Sequence, residues 1–128
     1  MGIAVLIMDD AAMVRERIVK LLSEIKGISE IIQAVDAESA VWLVREHRPQ
    51  IVILDIQVPG SGRLRNGIDV LKSVLQYTPS TAVIMLSNYA SSRYREECRR
   101  AGARFIFDKS SEFDQLPTVI REIVQSSQ

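Results

Sequence analysis

Five residues of this chain have the types and positions that a phosphoryl-transfer site needs, and each lies at or just past the end of a short apolar run. Ile3–Met8 runs into Asp9-Asp10, Ile51–Leu54 into Asp55, and Ala82–Leu86 into Ser87; Phe105–Phe107 is followed, one residue on, by Lys109. A carboxylate can attack phosphorus and form an acyl phosphate, which makes Asp55 the candidate nucleophile. Acids crowded in one cleft repel each other unless one takes up a proton or a cation joins them. Mg²⁺ suits such a place, since it takes one or two carboxylates, waters and phosphate oxygens. Asp9, Asp10 and Asp55 therefore read as a Mg²⁺ site, completed by a backbone carbonyl such as that of Gln57. Lys109 offers a second positive point, and Ser87 a hydrogen bond to a phosphoryl oxygen. Chemistry of this kind is mostly positioning and charge neutralisation. Singly, each residue has a plainer reading, as a helix-capping aspartate, a surface lysine or a turn serine. The chemistry depends on their convergence.

Convergence requires the runs to be parallel strands sharing one edge. The sequence alternates strand and helix signals throughout. Continuous apolar runs at Ile3–Met8, Ile51–Leu54 and Ala82–Leu86 suit strands covered on both faces. Ile31–Val35 and Phe105–Phe107 complete five predicted strands. Helical spacing links Val14, Ile18, Leu21, Leu22 and Ile25, with Gly27 as the stop. Asp36 is the expected N-cap of a second helix carrying Ala40, Val41 and Val44, which Pro49 ends. Gly67 leads a third helix bearing Ile68, Leu71, Val74 and Leu75. A fourth, mostly charged, is expected at about Ser91–Arg100. Ser111 and Asp114 resemble a capping box for the last helix, whose inner stripe is Leu116, Val119, Ile120, Ile123 and Val124. Pro117 falls early in it, where a missing N–H does least harm. Five such units predict an α/β fold: a doubly wound (βα)5, flavodoxin-like, with a parallel sheet of order 2-1-3-4-5. That order sets Asp9-Asp10 beside Asp55.

With 128 residues, the chain reads as a single domain, residues 1–128. Apolar residues make up 47% and charged residues 25%, and formal net charge is zero. A balanced chain has no global field drawing it to nucleic acid or anionic membrane. One cysteine, Cys98, forms no internal disulfide and fits a reducing, cytoplasmic setting. Met1–Leu6 lacks the features of a signal peptide, and no apolar stretch approaches the ~20 residues that span a bilayer.

The segments Leu6-Ile7-Met8-Asp9-Asp10, Ile53-Leu54-Asp55-Ile56-Gln57-Val58-Pro59-Gly60, Met85-Leu86-Ser87-Asn88, and Ala101-Gly102-Ala103 running on to Lys109 carry a resemblance. Together they resemble the response-regulator receiver domain of two-component signalling, over essentially the whole chain. The resemblance implies Asp55 as phosphoacceptor, with Asp9, Asp10, Asp55 and the Gln57 carbonyl holding Mg²⁺. It implies Ser87 as the hydroxyl that moves to meet the phosphoryl group and Lys109 as the ion-pairing lysine. The donor would be a phosphohistidine on a sensor histidine kinase or histidine phosphotransfer protein. Output is expected through contacts with a downstream protein, on the face of the fourth helix, fifth strand and fifth helix, or through an effector domain in a longer parent. Only Gln125–Gln128 follow the last helix, so no effector domain is expected within this chain. Phosphorylation-linked homodimerisation is a further expectation, and catalysis with turnover is not one.

The chain departs from the family pattern at several points. Ile106 stands three residues before the lysine, where many members carry an aromatic, and Tyr89 is the substitute candidate for signalling. Ser110 replaces the usual proline after Lys109. The loop Gly60–Gly67 is longer than in the family and carries Arg63 and Arg65, which are candidates to approach the cleft or the donor. These departures leave one alternative, an interaction module that works unphosphorylated. An aspartyl-nucleophile phosphatase is disfavoured, because Asp9 and Asp10 are adjacent and Ala11-Ala12 follow. A flavin or nucleotide site would want a Gly/Ser/Thr-rich first loop. His47 reads as a solvated helix end, Cys98 as packing and Trp42 as a partly buried helix residue. Arg93, Arg95, Arg99, Arg100 and Arg104 form a basic cluster tempered by Glu96 and Glu97, either a partner surface or a solvated face.

Overall fold

The computed structural model describes residues 2–88 and 91–127. Strands β1 (Ile3–Met8), β2 (Ile28–Ala34), β3 (Ile51–Asp55), β4 (Ala82–Ser87) and β5 (Phe105–Asp108) form one parallel sheet of order β2-β1-β3-β4-β5. Helices α1 (Ala12–Ser23), α2 (Ala37–His47), α3 (Gly67–Tyr77), α4 (Ser92–Arg100) and α5 (Leu116–Ser126) alternate with the strands. This is the expected flavodoxin-like architecture. The strand residues split by the period of two. Leu6, Met8, Val52, Leu54, Val83 and Met85 pack under α2, α3 and α4, while Val5, Ile7, Ile51, Ile53, Ile84 and Leu86 pack under α1 and α5.

Helix starts follow local chemistry. Asp36 caps α2 by accepting from Ser39 N at 2.8 Å. Asn66 caps α3 through Ile68 N and Asp69 N, and Ser91 caps α4 through Tyr94 N. Pro117 sits in the first turn of α5 as expected.

Three expectations need correction. β2 starts at Ile28 rather than Ile31 and ends at Ala34 rather than Val35. It is an edge strand whose Ser29 and Glu30 are exposed, so polar residues hide its beginning. Ser111 caps no helix. Asp108 gathers Ser110 N at 2.8 Å and Ser111 N at 3.3 Å in a local turn, and a 3-10 turn, Phe113–Gln115, leads into α5. Trp42 is 60% exposed, because α2 turns Ala37, Ala40 and Val44 inward instead.

Candidate functional site

Strand pairing continues past the strands and fixes the residues that follow. Asp9 N donates to Ala34 O at 3.1 Å, Ile56 N to Leu86 O at 3.0 Å, and Lys109 N to Ser87 O at 2.8 Å. The carboxyl ends of β1, β3, β4 and β5 thus form one rim, the edge where open α/β sheets place ligands. Gly67 closes it from the α3 side: a Cβ there would lie 2.1 Å from the Asp55 carbonyl oxygen. The first turn of α3 consequently rests directly on the main chain of Asp55, and Gly67 N donates to Ile56 O at 2.9 Å.

On this rim Lys109 Nζ lies 2.6 Å from Asp9 Oδ2 and 3.2 Å from Asp55 Oδ2. Asp9 and Asp55 are buried, and Asp10 stands exposed at the mouth. Asp9 Oδ1 also accepts from Ala11 N at 2.9 Å, and Asp55 Oδ1 from Gln57 N at 3.2 Å. Burial pushes the Asp55 carboxyl above its usual range; the Lys109 ammonium opposes this and the Asp9 charge adds to it.

One ammonium does not balance three carboxylates. Asp9, Asp10 and Asp55 each offer a ligand oxygen, and these oxygens lie within 4.8 Å of one another. Oxygens around an octahedral Mg²⁺ are about 3 to 4 Å apart, so small side-chain rotations would close the set. All-oxygen, anionic donors suit a hard cation. The acids and the lysine named from sequence therefore do meet.

Ser87 is also on the rim and fully buried, and its hydroxyl donates to Gln57 Oε1 at 3.3 Å. That side-chain contact was missed, because Gln57 was singled out for its carbonyl alone. Arg15 was missed as well. From α1 its guanidinium donates to Asp9 O at 2.9 Å and to Gln33 Oε1 at 3.1 Å, clamping the first loop to the end of β2. No motif marks it; its only signal is its place one turn into the helix that follows the acids.

The remaining candidates lie elsewhere. Ile106 is half-buried on β5 opposite Met85, and its carbonyl accepts from Arg95 at 3.1 Å. Tyr89 falls outside the described residues. Arg65 does not reach the rim: it pairs with Asp69 at 3.5 Å, and Arg63 faces a groove between α2 and α3. His47 sits 3.5 Å from Glu30. Cys98 is buried, and burial pushes its thiol up to about 11. In the α4 cluster Arg99 and Arg100 share Glu96, and Arg95 pairs with Glu112, outside the helix, at 2.5 Å. No helix among the described residues is long and apolar enough to cross a membrane.

Comparison with known proteins agrees with this arrangement. Response regulator GacA of Pseudomonas aeruginosa is 27% identical over 121 residues, covering 94% of this chain and 55% of the relative. Response regulator UvrY of Escherichia coli is 28% identical over 121 residues, covering 94% and 54%. The chain thus spans about half the length of these relatives. Among solved structures, the response regulator domain of Thermotoga maritima CheB superposes with a TM-score of 0.80 at 27% identity, covering 98% of this chain and 96% of that one. A LuxR-family two-component response regulator from Aurantimonas gives 0.86 at 26% identity, covering 98% and 87%. The family model for the response regulator receiver domain matches residues 5–121, and the chain belongs to that family.

Proposed function

We propose that this chain is a phosphorylation switch whose acceptor is Asp55. An Asp55 carboxylate oxygen attacks the phosphorus of a phosphohistidine on a sensor kinase or phosphotransfer protein. The O–P bond forms, the P–N bond breaks, and the imidazole nitrogen leaves with the electron pair. Asp9, Asp10, Asp55 and the Gln57 carbonyl would hold Mg²⁺, which when bound would supply positive charge against the phosphoryl oxygens. Lys109 compensates the charge on Asp9 and Asp55 before transfer and is placed to pair with the phosphoryl group afterwards. The Ser87 hydroxyl serves as a donor once it leaves Gln57. The domain signals rather than turning over substrate, and its own contribution to chemistry is to assist transfer and hydrolysis at Asp55.

The observation that carries this reading is the contact of one buried ammonium with two buried aspartates, beside a third acid, at the carboxyl edge of a parallel sheet. Output then follows as a population shift: phosphate bound at the rim favours one arrangement of α4, β5 and α5, and a downstream protein or an effector domain in a longer parent reads it. The test is incubation with Mg²⁺ and a small acyl phosphate, followed by intact mass. One labile phosphoryl adduct is expected, absent from Asp55→Asn and absent when the metal is chelated. An adduct that persists on the Asp55→Asn protein overturns the assignment.

A further inference from the structure

The loop between β3 and α3 is a built element. Ala37 N donates to Pro59 O at 3.0 Å, and Ser61 gives both its N and its Oγ to Glu38 Oε1 at 2.7 Å. Leu64 N returns to Ser61 O at 3.0 Å, and Arg65 N reaches Asp69 Oδ2 at 2.9 Å. At Gly60 a Cβ would lie 1.8 Å from the Leu64 carbonyl oxygen, so the loop folds flat upon itself. These ties carry Arg63 away from the phosphorylation rim and into the groove between α2 and α3.

The groove encloses about 530 Å³. Val41 and Leu64, both half-buried, give it an apolar floor, and Arg45, Arg63 and Lys72 surround it. Its one acid, Asp69, is already held by Arg65. No acid pairs with Arg45, Arg63 or Lys72 among the described residues, whereas Arg95, Arg99 and Arg100 of α4 each have one. Arg45 lies instead over the ring of Tyr77, 5.6 Å from its centroid. Cations without an acid partner, from three separate elements around an apolar floor, with the partly exposed Tyr77 ring nearby, have the composition of a protein interface that selects negative charge.

We infer that the α2–α3 groove, walled by the 59–66 loop, docks an acidic segment of a partner protein that inserts an apolar side chain over Val41 and Leu64. The apolar floor of Val41 and Leu64 and the compact grouping of the cations favour a protein segment over nucleic acid, whose phosphates call for a continuous basic track. The surface is separate from the rim and works whether or not Asp55 is phosphorylated.

The test is amide NMR of the full chain titrated with a short blocked peptide of glutamates carrying two leucines, and in parallel with an oligouridylate. Saturable shifts confined to Val41–Arg45, Arg63–Leu64 and Lys72–Gln76 are expected with the peptide. Affinity should fall about tenfold in Arg63→Glu and again in Lys72→Glu, while Arg121→Glu on α5 and Asp55→Asn bind as wild type. Dispersed spectra of the variants establish that they fold. Absence of saturable shifts, shifts centred on α4, indifference to the charge reversals, or dependence on phosphorylation overturns the inference. Tighter binding of the oligouridylate at the same residues also overturns it, in favour of a nucleic-acid site.

Discussion

Lysine meets aspartate at the rim and arginine meets glutamate on α4, yet the two regions use the same attraction to different ends. At the rim the charges are unequal and mostly buried: buried Asp9 and Asp55 and exposed Asp10 face one ammonium, and Asp55 is pushed towards its protonated form. Around α4 they are partly exposed and paired, Arg99 and Arg100 with Glu96 and Arg95 with Glu112, and Glu112, hydrogen-bonded by Arg95, is held below the usual carboxylate range. The rim stores an unmet demand for positive charge that a cation can meet, while the α4 pairs are screened by solvent. Burial decides which is which, because removing water raises both the cost of a lone charge and the value of its partner.

Replacing Lys109 should break this contrast most. Lys109→Ala leaves two buried carboxylates without their counter-charge. It should lower stability by about 3 kcal/mol in chelator, measured by urea unfolding, with part of the loss recovered on adding Mg²⁺. Labelling by acyl phosphate should slow by roughly a hundredfold. A variant as stable and as readily labelled as wild type would mean that the ammonium is a bystander.

The pH dependence of Asp55→Asn sharpens the comparison. A carboxyl raised in the folded state binds more protons there than when unfolded. Its ionisation therefore opposes folding above the folded value, and this cost fades as pH falls towards the unfolded value. In chelator, Asp55→Asn should be more stable than wild type at neutral pH, by on the order of a few degrees in Tm. The gain should vanish near pH 4. Scanning both proteins calorimetrically across that range checks the sign.

Glu112 should behave in the opposite sense and more weakly. Its lowered value contributes stability above the unfolded carboxyl range, lost as pH falls through the folded value. Because the Arg95–Glu112 pair is partly exposed, Glu112→Gln should cost no more than about 1 kcal/mol at neutral pH, and less at high salt. A cost equal to that of Lys109→Ala would erase the distinction between the regions.

The rim was legible because buried parallel strands are written as uninterrupted apolar runs, and the residue ending each run is placed by the sheet itself. That is why Asp9, Asp10, Asp55, Ser87 and Lys109 stand out together in the sequence. Side-chain reach was not legible. Arg15 clamps the first loop from a helix position that resembles any exposed arginine, and the hydrogen bond between Gln57 and Ser87 depends on rotamers. The edge strand β2 hid its start behind Ser29 and Glu30. Ser111 looked like a cap because its spacing to Asp114 fits one, but Asp108 had claimed its amide. The extra loop declared two arginines and not their direction. Its bond to Glu38 is a tertiary event, and it turned Arg63 away from the cleft.

Gly67 links Asp55 to the body of the protein in a way that mutating charges would not reveal. Only a hydrogen atom fits between the start of α3 and the carbonyl of Asp55. A single methyl placed there would act as a wedge, displacing Asp55 with every chemical group intact. How closely that helix approaches the sheet is thus set by one missing side chain, not by any of the charges on its surface.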